Sequence, residues 1–229
     1  MTNNFTLKLQ IPKTEAKWKV IAKGFNDKWT FPNCLGAVDG KHVSIKKPPH
    51  TGSYYYNYKN FFGIVLMAVV NSNYEFIMAD ADTNGRISDG GVLGKTAFGK
   101  ALGDKLLQIP EPGTLPNSRK KLPFVFVGDE AFALTENFMK PYGQAGLTAE
   151  QRIFNYRLSR ARRVVENSFG ILVSRFGVLQ RPIEPKRGHS TSLQTSHSRN
   201  SAASAKAVRV SYCDFFNNEG QVSWQHKFA

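Results

Sequence analysis

The stretch Phe124–Asp129, FVFVGD, decides how this chain is read. Four apolar residues in a row, stopped by Gly128-Asp129, suit a short strand covered on both faces. The same ending occurs far upstream, where CLGAV (Cys34–Val38) runs into Asp39. Two aspartates thus follow apolar strands directly, and ligands in mixed α/β folds gather at the carboxyl ends of strands. If the two strands lie side by side in parallel, their terminal carboxylates come within a few ångströms of each other. Taken singly, an aspartate beside a glycine after a strand is ordinary turn chemistry.

Working outward from these strands, HVSI (His42–Ile45) continues the first beyond Asp39. A loop rich in Pro, Gly and Tyr (Lys46–Asn57) leads to FFGIVLMAVV (Phe61–Val70), the longest apolar run, which reads as a buried strand. Asn71-Ser72-Asn73 reads as a hairpin turn into YEFIMAD (Tyr74–Asp80). Asp89 to Leu107 is helix-like though interrupted by glycine. The strongest helix runs from Thr148 to about Arg175. Thr148 is an N-cap with Gln151 three residues on, as a capping box prefers. Phe154, Leu158, Ala161, Val165, Phe169 and Leu172 form one stripe at helical spacing. At about 100° per residue, Glu166 falls at the edge of that stripe, on the side shared by Arg162 and Asn155. It points along the seam between helix and sheet.

The 229 residues carry a formal net charge of +14, which calls for a polyanion such as nucleic acid. A generically basic protein is the plain alternative. With 41% hydrophobic and 12% aromatic residues, most of the chain is expected to fold. No apolar run approaches the roughly 20 residues of a membrane span, and MTNNFTLKLQ at the start does not have the build of a signal peptide. The two cysteines make neither a disulfide framework nor a zinc spacing, which fits a reducing, intracellular setting. Cys34 reads as a small core residue.

Asp39, Asp129 and Glu166 are the candidate chemistry. Three carboxylates in one place repel and raise one another's pKa unless cations sit between them. Oxygen-only ligands suit Mg²⁺ or Mn²⁺, and two such ions can hold the attacking and leaving oxygens of a phosphoryl displacement. Glu166 alone also reads as the intrahelical partner of Arg162 or Arg163. Lys41, Lys46, Lys47, Arg157, Arg160 and Arg163 are candidate phosphate contacts, against the plainer reading of the arginines as a solvated helix face. Tyr54, Tyr55 and Tyr56 stack on bases or pack a hairpin edge. His42 reads as structural. DADTNG (Asp80–Gly85) mimics the opening of a calcium loop, but its twelfth position is Gly91 and a strand precedes it.

FPNCLGAVDGKHVSIKKP, SYYYNYKNFFGIVLMAVV, GRISDGGV, LPFVFVGDEAF and EQRIFNYRLSRARRVVENSFGIL together resemble the DDE superfamily nuclease domain of PIF/Harbinger transposases. The likeness runs from about Trp29 to Pro182, in particular to transposase-derived nuclease-like proteins. It implies an α/β, ribonuclease H-like fold, a mixed sheet flanked by helices. It also implies that Asp39, Asp129 and Glu166 form a catalytic, metal-binding triad, with Mg²⁺ or Mn²⁺ as cofactor, DNA as substrate, and the nucleus as location. Asp89, in GRISDGG, is another motif position, either a metal-proximal acid or the cap of the helix it begins. Harbinger elements use a separate Myb-like partner for DNA recognition. The expected organisation is an N-terminal helical extension (1–30), the nuclease domain (31–182), a Ser-rich disordered segment (183–210) and a tail (211–229). The Ser-rich stretch stands where the family continues into another helix, so the last layer of the fold is expected to be incomplete. An inactive copy that binds DNA or protein without cutting is the alternative function, and RNA as substrate stays open.

Overall fold

The computed structural model describes residues 9–84, 89–184 and 201–228. In chain order these form α1 (Glu15–Trp29), β1 (Cys34–Ser44), β2 (Gly63–Val70), β3 (Phe76–Asn84), α2 (Asp89–Lys95), α3 (Ala97–Gly103), β4 (Gly113–Thr114), β5 (Lys121–Leu122), β6 (Val125–Val127), β7 (Phe138–Met139), α4 (Ala149–Arg175) and α5 (Ala203–Asn217).

Five strands make one mixed sheet in the order β3-β2-β1-β6-β7. β1, β2 and β3 are an antiparallel meander, and β6 and β7 join in parallel on the other side of β1. Helices cover both faces, which is the ribonuclease H-like arrangement expected. The strands are buried on both faces, hence the continuous apolar runs in the sequence. On one face, Ala37, Ala68, Val70, Val125 and Val127 pack under Leu158, Ala161 and Val165 of α4 and Tyr212 and Phe216 of α5. On the other, Leu35, Val38, Met67 and Phe126 meet Trp18 of α1, Val92 of α2 and Phe98 of α3.

The start of α4 is fixed locally. Thr148 Oγ1 accepts the Gln151 N–H and Gln151 Oε1 accepts the Thr148 N–H, a reciprocal capping box. Glu150 in the first turn and Arg175 in the last match the helix dipole. The apolar stripe then seats the helix on the sheet, with Phe154, Leu158, Ala161, Val165 and Phe169 all buried.

β1 continues past Asp39, as HVSI suggests: antiparallel pairing with β2 carries it to Ser44, although its parallel pairing with β6 stops at Ala37. Other expectations change. The helix read over Asp89–Leu107 is two short helices, because Thr96 N-caps α3 by accepting the Gly99 N–H. Residues 203–210, read as part of a disordered segment, belong to α5, and residues 185–200 lie outside the described residues. The last layer is therefore present: α5 buries Tyr212, Phe215 and Phe216, and the Tyr212 hydroxyl donates to Pro123 O at 2.8 Å. Within the N-terminal stretch expected to be helical, α1 buries Trp18, Ala22 and Phe25. Among the described residues no helix is long and apolar enough to cross a membrane.

Candidate active site

The geometry follows from strand register. The last parallel pair between β1 and β6 is Ala37 with Val127. Asp39 lies two residues further along β1, and Asp129 lies two residues past the end of β6. Side chains alternate along a strand, so Asp39 shares the face of Ala37, which is the face under α4. Its cross-strand partner, Ala68, packs on that same face. Beyond Val127, the Gly128 N–H still donates to Met139 O at 3.0 Å, holding the tip of the strand to β7. A Cβ at residue 128 would come within 2.7 Å of the Phe132 and Phe138 rings, so glycine is needed there. Asp129 then turns the chain, its Oδ1 accepting the Ala131 N–H at 2.9 Å.

Glu166 projects from α4 and is half exposed. Arg162, one turn earlier, reaches it with Nη2 3.4 Å from Oε1, and only 17% of the Arg162 side chain is exposed. These four charges act on one another. Burial pushes the Asp39 carboxyl up to about 6; Arg162 and the Gly40 N–H pull against this, while Asp129 and Glu166 add to it. Arg162 is the residue that the sequence reading left in a minor role. The i, i+4 spacing to Glu166 was the signal for it.

Among the described residues, no three His, Cys, Asp or Glu side chains gather closely enough to hold a metal ion. The donor chemistry nonetheless fits a hard divalent cation at the aspartate pair: two carboxylates whose charges act on each other, one partly desolvated and held above its ordinary pKa.

The basic candidates divide. Lys41, opposite Leu66 in β2, shares the face of Asp39. Arg163 is exposed on α4. Lys46 is exposed but ion-paired with Glu184, and Lys47 Nζ lies over the Phe62 ring at 5.5 Å. Arg160 stacks on Trp224 at 4.0 Å. Arg157 is not a phosphate contact. It is buried, donating to Thr30 O, Gly220 O and Gln225 Oε1, with its guanidinium over the Phe216 and Trp224 rings.

The remaining candidates are quickly placed. Tyr56 bridges Phe62 in an antiparallel pair, the hairpin-edge packing expected for this tyrosine. His42 sits between the Tyr58 and Phe61 rings, a structural setting. Cys34 is fully buried, and burial pushes its thiol up. Asp89 is the first residue of α2, with its side chain outside the described part. Asp80–Asn84 is strand, which disposes of the calcium loop.

A sequence profile of the DDE superfamily endonucleases matches residues 38–203, well over half of the chain and inclusive of Asp39, Asp129 and Glu166. The chain belongs to this family. It is also similar to Protein ALP1-like of Arabidopsis thaliana, 29% identical over 158 residues. That match covers 65% of this chain but 37% of the plant protein, so the chain spans little more than a third of its relative. No solved structure matches. These DDE endonuclease relations bear out the resemblance drawn from the motifs.

Proposed function

We propose that this chain is the nuclease domain of a transposase-derived protein, cutting DNA phosphodiester bonds with the help of divalent metal. One observation supports the reading: Asp39 and Asp129 each follow by two residues the last parallel pair of β1 and β6, in the sheet covered by α4, the helix that bears Glu166. Asp39 and Asp129 would hold the metal and Glu166 would complete its coordination. Bound there, Mg²⁺ or Mn²⁺ supplies an activated water and neutralises charge on the phosphate.

The chain's own residues account for the rest. Partial burial of Asp39 strips water from its carboxylate, which raises its pull on a cation. Lys41, on the same sheet face, and exposed Arg163 offer positive charge to the DNA backbone. In a transposition reaction the freed 3′-hydroxyl would attack target DNA at the same centre. Residence in the nucleus and a separate Myb-like DNA-binding partner complete the proposal.

The pairing of Glu166 with Arg162 favours one second reading, a DNA- or protein-binding copy that does not cut. Nicking of supercoiled plasmid with Mg²⁺ or Mn²⁺ separates the two. Nicking lost in Asp39→Ala supports catalysis, whereas DNA binding without cleavage under both metals supports the second reading.

A further inference from the structure

Arg162 is built unlike the other arginines of α4. Arg157 spends its donors on three oxygens and two rings, and Arg160 lies on an indole. Arg163 faces water. Arg162 is largely buried, and among the described residues its one ion pair is the 3.4 Å contact with Glu166. Its buried Nε has no hydrogen-bond partner there, as is also true of Arg157 Nε. Arg157, however, has three oxygen partners for its other nitrogens, and Arg162 has only a carboxylate. A buried, under-satisfied guanidinium is costly. What compensates is charge: Arg162 is the largest influence holding Asp39 toward its ionised form, and it grips Glu166 directly. One cation thus addresses two carboxylates that the proposed metal would need. The i, i+4 spacing makes this unavoidable, since residues one turn apart on a helix face meet.

We propose that Arg162 is the resident counter-ion of the carboxylates in the metal-free protein, a positioning residue from which an incoming divalent cation must take Glu166. This rests on the metal-binding reading above. Arg162 therefore lowers the affinity for metal by competing for Glu166, and it keeps the carboxylates from repelling one another until metal arrives. The competition is specific. It runs through one side chain, so removing Glu166 should remove most of it.

The test is calorimetric titration of Mn²⁺ into the full chain as wild type, Arg162→Gln, Glu166→Gln and the double variant. Arg162→Lys serves as a second probe that keeps the charge but loses the planar fork. Folding of each is checked by circular dichroism. Arg162→Gln should tighten Mn²⁺ binding about tenfold in the wild-type background, within the usual range of site coupling. In the Glu166→Gln background the same change should gain less than about twofold, the non-additivity of a direct contact. Arg162→Lys should fall between wild type and Arg162→Gln. Equal tightening in both backgrounds would mean that only the field of the charge matters, and would overturn the inference alone. Unchanged or weaker binding in Arg162→Gln would also overturn it. Failure of all the proteins to bind Mn²⁺ would overturn the metal reading, and the inference with it.

Discussion

The two flanks of α4 carry arginines only a turn and a half apart that do opposite things. On one flank Arg157 is locked by Thr30, Gly220 and Gln225 and roofed by Phe216 and Trp224. There, burial and the neighbouring charge of Arg160 pull its guanidinium down to about 10. On the other flank Arg162 pairs with Glu166, and both charges act on Asp39 of β1, as does Asp129. One positive charge ties down the C-terminal segment, and the other balances acids. The lesson is that a basic helix is not uniformly a polyanion surface. What each cation meets on the folded chain decides its role.

This comparison can be broken at several points. The largest effect is expected on the acidic flank: Asp39→Ala should reduce metal-dependent plasmid nicking by at least about a hundredfold, because the metal contributes several kcal/mol to the transition state. A variant that nicks as fast as wild type would remove the acidic flank from the chemistry. Next, Arg157→Ala should destabilise the fold by about 2–4 kcal/mol, since three oxygens lose a charged donor. Denaturant unfolding would show it, and a neutral result would mean that the C-terminal segment is not anchored there.

The Asp39 carboxyl gives a pH prediction with a definite sign. Its folded pKa, about 6, lies above its ordinary value of 3.8. Between these values the folded state binds more protons than the unfolded, so stability falls as pH rises from about 4 to about 6. In EDTA, Asp39→Asn should therefore be more stable than wild type above pH 6 by up to about 3 kcal/mol, with the gain nearly gone by pH 4. Thermal melts at the two pH values check this. A gain independent of pH would remove Asp39 as its source. The smallest effect sharpens the arginine contrast. Arg163→Ala should lower the slope of log affinity for DNA against log salt by about 1, while Arg157→Ala leaves it unchanged.

Much of this was legible in the residues. Strands buried on both faces announce themselves as continuous apolar runs, and the Thr148–Gln151 box marks the start of α4. The positions of Asp39 and Asp129 after such runs, together with the stripe that flanks Glu166, mark the candidate site in the sequence itself. Three features were hidden for physical reasons. The terminal nitrogens of Arg157 donate to partners 127, 63 and 68 residues away, which no local pattern reveals. The start of α5 is Ser- and Ala-rich and reads as low complexity, although alanine favours helix and Ala205, Tyr212 and Phe216 supply a buried face. Asp39-Gly40 looks like a turn, but the ladder with β2 keeps it extended.

The central claim is that Asp39 and Asp129 share a divalent cation beneath α4. A crystal soaked in Mn²⁺ and measured for anomalous scattering tests it most directly. The account predicts a peak between the two carboxylates, with at least one oxygen of each at about 2.0–2.2 Å. A fully occupied Mn²⁺ elsewhere, or none at saturating metal with both aspartates ordered, would contradict it.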